Sequence, residues 1–278
     1  MSNSPPAAAL RSAANQQTQE ESSSKNLTHN QQVVSKQRVA DHGEVYTNQR
    51  EVNAMLNLVK SETERIDSRF LEPACGTGNF LLEILNRKLA IVQTRYAKSQ
   101  LEYERYAVLA ISSIYGIDIL ADNVDACRTR LFDVFNAQYS ALFKIQAKEQ
   151  CRNTVRYILG CNILHGDALT LHTVGDAIKP AAPIVFAEWS AVNGSLLKRR
   201  DFVYDHLVKF STPPPPDDLF SPENINKTVN NNSSGKLQQS DQGEYSYEVH
   251  PVKDYPLIHF LELGIDESNT RAKELADE

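Results

Sequence analysis

No stretch of this 278-residue chain is apolar for long enough to cross a bilayer, and its first residues lack the basic-then-apolar pattern of a secretory signal. A protein outside the membrane is expected. Cysteine is scarce: Cys75, Cys127, Cys151 and Cys161 form no Cys-x-x-Cys couple, which argues against a zinc site and for a reducing cytoplasm. No metal is expected. A positive field is missing as well. At a net charge of −6 nothing global advertises nucleic acid, although an acidic protein can still carry a local basic cleft. Large apolar groups are rare in the first 35 or so residues, which therefore cannot bury a core and read as a disordered tail.

What the chain does have is the stretch Phe70-Leu71-Glu72-Pro73-Ala74-Cys75-Gly76-Thr77-Gly78-Asn79-Phe80. It reads as the end of a buried strand, a tight turn and the start of a helix. Pro73 stops the strand by removing a backbone donor. Gly76 and Gly78 permit backbone angles, and a close approach by a ligand, that a Cβ would forbid. Asn79 is expected to cap a helix whose apolar face is Phe80, Leu81, Ile84, Leu85 and Leu89. A ligand crevice is therefore expected at the carboxyl end of this strand. No Gly-Lys-Ser/Thr follows, which excludes a P-loop, and Leu81 stands where a dinucleotide fingerprint needs its third glycine. Glu72, just before the turn, suits a cationic ligand group better than a pyrophosphate.

Further along, Leu101 to Ile114 suggests another helix, and Tyr115-Gly116-Ile117-Asp118-Ile119 a second strand. Its terminal acid, Asp118, stands where ribose hydroxyls are bound in nucleotide folds, or else is a strand-end turn carboxylate. Val124, Leu131, Phe135 and Leu142 recur at helical spacing from Asp122 to about Phe143, with Arg128 and Arg130 facing elsewhere. A helix around Cys151 to Leu159 and a short strand, Cys161 to Leu169, ending in Gly166-Asp167-Ala168, follow. His165, beside that strand end, reads as structural.

The string Leu-Glu-Pro-Ala-Cys-Gly-Thr-Gly-Asn-Phe resembles the first motif of the N6-adenine DNA methyltransferases, particularly the modification subunits of type I restriction systems. The resemblance covers about Val39 to Phe202. It implies a doubly wound, Rossmann-like α/β fold that binds S-adenosylmethionine and transfers its methyl group to DNA. It also implies roles: Glu72 for the methionine ammonium, Thr47 (beside Tyr46, in place of an aromatic-Thr-Pro sequence) for the carboxylate, Asp118 with Ile119 at the ribose, and Asp167 for the adenine amino group. Ala168 would pack on the adenine ring, and Pro73, Ala74, Gly76, Gly78 and Asn79 would form the cofactor turn. Thr47 reads equally as a helix cap, and Asn48, where proline is usual, can cap as well.

The resemblance breaks at the next strand, Pro183 to Trp189. An Asn/Asp-Pro-Pro-Tyr/Phe tetrapeptide, whose polar groups hold the flipped adenine, belongs at its end and is missing from the chain. Glu188 and Trp189 are the surrogate candidates, with packing on the sheet edge the favoured role for Trp189. Lys198-Arg199-Arg200 either meets phosphates or is a solvated face. The expected organisation is a disordered tail over 1–38, the methyltransferase-like domain over 39–210, a disordered Pro/Asn/Ser-rich linker over 211–245 and a short C-terminal segment over 246–278, in which Tyr255 to Leu263 docks as a strand or helix. With no room for a target-recognition domain, a separate specificity or catalytic subunit is expected. A non-catalytic S-adenosylmethionine-binding subunit and a methyltransferase of proteins or small molecules are the alternatives.

Overall fold

Apolar runs broken by glycine turns become, in the computed structural model, strands that alternate with helices; residues 47–176, 178–209, 235–239 and 245–264 are described. The expected tail and Tyr46 lie outside them. The chain divides into two units, Met1–Ala54 and Met55–Glu278. Thr47 and Asn48 precede helix α1 (Gln49–Leu58), which runs across that boundary, and Asn48 Oδ1 accepts from the Glu51 amide at 3.0 Å. The capping expected of Asn48 is thus present.

In the second unit, a single helical turn, α2 (Lys60–Thr63), leads to β1 (Phe70–Glu72). Helices α3 (Asn79–Tyr96) and α4 (Gln100–Ser112) connect it to β2 (Ile114–Asp118). Helices α5 (Ala121–Phe143) and α6 (Glu149–Asn162) connect β2 to β3 (Ile163–Asp167). These three strands are parallel and adjacent, in the order β1-β2-β3, and the short β4 (His172–Thr173) adds antiparallel to β3. The helices obey the periodicity that announced them: Leu81, Ile84, Leu85 and Leu89 of α3 and Val124, Leu131 and Phe135 of α5 are buried. Each such side chain contributes about 1.5–3 kcal/mol by leaving water. Ser99 caps α4 by accepting from the Glu102 amide. The chain is thus mixed α/β, and no helix among the described residues is long and apolar enough to cross a membrane.

The next apolar run does form a strand, β5 (Val185–Val192), but it does not extend the parallel sheet. It pairs antiparallel with β6 (Leu196–Val203) through a turn at Asn193-Gly194-Ser195, where Asn193 and Gly194 have φ of 38° and 81°. Helix α7 (Tyr204–Lys209) follows. β7 (Gly235–Gln239), within the stretch expected to be disordered linker, pairs with β8 (Tyr245–Val249) where the expected C-terminal segment begins, and the other residues from 210 to 244 lie outside the described residues. The short β9 (Lys253–Asp254) and β10 (Ile258–His259) both pair with β6, so Tyr255 to Leu263 docks as expected. Phe260 is buried there, and its carbonyl accepts from Thr154 Oγ1 of α6 at 2.5 Å.

β5 also runs opposite to β1–β3. Ile184 touches Gly166 near the carboxyl end of β3, whereas Trp189 Nε1 donates at 3.0 Å to Asn162 Oδ1 just before β3 begins. Asn162 in turn donates to the Ser112 and Ile114 carbonyls at the start of β2. A doubly wound sheet needs further parallel strands beyond β1, and among the described residues β1 has β2 alone as a neighbour.

The amino end of β1 is held by Lys88 of α3, whose side chain is fully buried. Its ammonium donates to the Ile66 carbonyl (3.1 Å), the Ser68 carbonyl and Ser113 Oγ (2.6 Å). Burial pulls it down to about 7 from its ordinary 10.5. Between those values the unfolded chain holds the extra proton, so this lysine makes stability rise with pH above about 7 and adds no slope well below it. Lys88→Met should leave buried acceptors without a donor and cost about 1–3 kcal/mol. In urea unfolding, its deficit against the wild type should widen from pH 7 to pH 8.5; an equal deficit at both would mean Lys88 is not desolvated.

Candidate functional site

Parallel strands in register bring their last residues to one edge. Glu72 ends β1, Asp118 ends β2 and Asp167 ends β3. Glu72 is opposite Gly116 and Asp118 opposite His165, so each acid lies one strand across and two residues further along than the one before. This staircase is roughly 16 Å from end to end. The structure therefore brings together the three acids that the sequence singled out.

The glycine turn lies at the top of the staircase. Gly76 and Gly78 adopt φ of 52° and 89°, and the Gly78 amide donates to the Cys75 carbonyl at 2.8 Å. Asp118 grips this turn: Oδ2 accepts from the Gly76 amide (2.8 Å), while Oδ1 accepts from the Leu120 amide (2.9 Å) and Asn123 Nδ2 (3.2 Å). A carboxylate offers about four acceptor positions, so one is left for a ligand hydroxyl rather than two. Asp167 Oδ1 accepts from the Leu169 amide at 2.8 Å. Glu72 is half-buried, and burial pushes its carboxyl above the ordinary range, against the Ala74 amide that pulls it down. That is the condition of a carboxylate that a cation would stabilise.

Several expected roles change. Asn79 is the first residue of α3 rather than its cap; Gly78 occupies the cap position in a left-handed conformation, with no side-chain bond. Asn79 Oδ1 accepts instead from Arg130 Nη1 at 3.0 Å. Ala168 packs inward, against the cluster of Tyr115, Ile117, Ile184 and Phe186, because β5 covers that face. The apolar side chains exposed near this edge are Ile119 at 47% and Leu169 at 94%. His165 Nε2 bonds the Ile119 carbonyl, as a structural histidine would. Independently of any ligand approach, a Cβ at Gly78 would lie 2.6 Å from Cys127 Sγ of α5, so protein packing already requires this glycine.

Glu188 and Trp189 are not part of the site. Because β5 runs in reverse, both lie toward the amino ends of β1–β3. Trp189 is buried and bonded to Asn162, so it packs. Glu188 pairs with Arg69, just before β1, at 2.5 Å and with Arg200 at 2.8 Å. It lines an aromatic cavity of about 490 Å³ along β1, walled by Leu71, Tyr115, Phe186, Phe202 and Tyr204. None of the three acids borders this cavity. The Lys198-Arg199-Arg200 run is neutralised within its own sheet: Lys198 by Asp254, Arg199 by Asp201 in a two-point contact and Arg200 by Glu188.

Sequence reasoning missed the face of α5 turned to the glycine turn. Asn123, Cys127 and Arg130, at i, i+4 and i+7, lie on one stripe and reach Asp118, Gly78 and Thr77 respectively. The spacing was legible, but its target was not. Cys75 and Cys127 are buried free thiols, and the Cys127 thiol together with burial pushes the Cys75 thiol up, which makes it unreactive. Among the described residues no cluster of metal-ligating side chains occurs. No family model matches the chain, and neither a curated protein nor a solved structure shows significant similarity to it.

Gly78→Ala combines a left-handed backbone with a collision against Cys127. The backbone alone should cost about 1–2 kcal/mol. Urea unfolding should show a larger loss, partly recovered in Gly78→Ala/Cys127→Ala; no recovery would mean that packing on α5 does not constrain the turn.

Proposed function

We propose that this chain binds S-adenosylmethionine along the carboxyl ends of β1–β3 and serves adenine-N6 methylation of DNA within a restriction-modification or related system. The observation that supports this best is the acid staircase beside the glycine turn, joined to the motif string that carries the resemblance. A row of three carboxylates disfavours any phosphate-bearing ligand. It suits one with an ammonium and sulfonium at one end and a nucleoside at the other.

The residues present fit that ligand. Glu72, its charge poorly solvated, would hold the ammonium. Asp118 keeps one acceptor position for a ribose hydroxyl while its other contacts shape the turn. The free oxygen of Asp167 would accept from the adenine amino group, since a carboxylate selects a donor. Exposed Ile119 offers an apolar surface to the base. The bound group supplies a methyl carried on a positive sulfur. The chain's part is to orient that group and exclude water, because transfer to an amine depends on positioning more than on proton movement.

A second reading has one specific observation in its favour. With Glu188 and Trp189 at the far end of the strands, neither surrogate for the missing tetrapeptide reaches the crevice. A cofactor-binding subunit, completed by a partner chain that supplies the substrate loop, accounts for that better than a self-sufficient enzyme. The four free thiols fit the cytoplasm.

Calorimetry should show S-adenosylmethionine binding without DNA, and Asp118→Ala should weaken it by about 1–3 kcal/mol. No heat and no thermal shift at millimolar ligand would sink the proposal. Labelled methyl should reach DNA only with the products of neighbouring genes added; transfer by the chain alone would favour the self-sufficient enzyme. Trp189→Ala should lower the unfolding temperature and leave cofactor affinity unchanged.

A further inference from the structure

The glycine turn is gripped from two directions. Asp118 holds Gly76 from the end of β2, and the stripe on α5 holds the rest. Asn123 steadies the Asp118 carboxylate, Cys127 fills the space beneath Gly78, and Arg130 closes the outer side. Arg130 makes its contacts through one nitrogen. Nη1 donates to the Thr77 carbonyl at 2.6 Å and reaches Thr77 Oγ1 at 2.8 Å and Asn79 Oδ1 at 3.0 Å. The contacts span the sequence from the tip of the turn to the first residue of α3. A charged donor to a carbonyl is among the stronger hydrogen bonds. The other two contacts fix the side chains on either side of Gly78, the residue whose left-handed angle sets where α3 begins.

We infer that Arg130 is a positioning residue for the ligand turn, holding Thr77 and Asn79 so that Gly76–Gly78 keeps its ligand-ready shape before any ligand arrives. This rests on the S-adenosylmethionine reading proposed above. The physical reason is pre-organisation: a turn with two left-handed residues samples other shapes when unclamped, and binding must then bear the ordering cost. Arg130 lies on a helix surface and its contacts are exposed, so the fold does not need it as it needs Cys127 or Leu131.

The test compares Arg130→Met, which keeps the stem and removes the donors, with Arg130→Lys, which keeps one cationic nitrogen in reach of Thr77. Arg130→Met is expected to weaken S-adenosylmethionine binding about tenfold by calorimetry, with the unfolding temperature nearly unchanged, and Arg130→Lys to restore most of it. Hydrogen exchange in the ligand-free chain should speed up at Thr77 and Gly78 in Arg130→Met and nowhere else. Unchanged affinity in Arg130→Met, or a loss that Lys does not rescue and that tracks a lower unfolding temperature, overturns the inference. A wild-type chain that binds no S-adenosylmethionine overturns the proposed function instead. The exchange measurement then still decides whether Arg130 holds the turn, and unchanged exchange at Thr77 and Gly78 overturns that as well.

Discussion

The Asp118 carboxylate is the contact on which the site depends. It stands at the end of β2 and binds the backbone of the turn that leaves β1, the backbone of its own turn into α5 and a side chain of α5. Three donors on one buried carboxylate replace the water it has lost, which is why a charged group can sit at 8% exposure in this position. They also couple two crossovers that are otherwise far apart in sequence. Without that carboxylate the Gly76 amide would lose its partner, and the Cys75 amide, which donates to the Ile117 carbonyl at 2.9 Å, would be left to tie the turn to β2.

The opposite end of the sheet is secured by a different device. Lys88, Asn162 and Ser113 satisfy carbonyls where the strands begin, so that buried backbone acceptors there are paired by side chains rather than water. Between α4 and α5, the fully buried Glu104 accepts from Tyr139 (2.5 Å), Gln100 (2.7 Å) and Lys148 (2.8 Å). Such networks are costly when half satisfied and rigid when complete. Placing them away from the carboxyl edge leaves that edge with the less solvated Glu72 and the exposed Ile119, where a ligand rather than the protein can finish the pairing.

Much of this was legible in the residues. The 3.6-residue recurrence of Leu81, Leu85 and Leu89 and of Val124, Leu131 and Phe135 marks helices because only one face of each is buried. The acids were legible because strand ends are announced by the polar residues that stop an apolar run. The direction of β5 was not. Val185 to Trp189 reads as a strand in either direction, since an alternation of apolar residues carries no arrow. Its reversal follows from the short connection through β4 and from the Ile184 contact at Gly166, both of which are tertiary facts. Once reversed, β5 carries Glu188 and Trp189 to the wrong end of the strands for a crevice on the carboxyl side. The role of Arg130 was hidden for the opposite reason: an arginine on an amphipathic helix is ordinarily a solvated residue, and only the fold shows what lies beneath it.

Electrostatics decides which class of ligand the carboxyl edge can take. Neighbouring acids, one strand across and two residues along, lie roughly 8 Å apart along the backbone. Two carboxylates at that distance repel by about 2 kcal/mol at an effective dielectric constant near 20. Asp118 is excused from this by its amide donors, and Asp167 in part by the Leu169 amide. Glu72 has the Ala74 amide, which burial outweighs. The unmet charge is therefore greatest at Glu72, beside the glycine turn, and least at Asp118, where β2 ends. A ligand that matches this pattern would carry its positive charge beside Glu72 and neutral hydrogen-bonding groups further along. A phosphate at the turn would meet Glu72 at its least solvated, and a uniformly cationic ligand would waste its charge against Asp118. The asymmetry of the three acids, more than their number, is what favours the proposed ligand, an amino acid joined to a nucleoside.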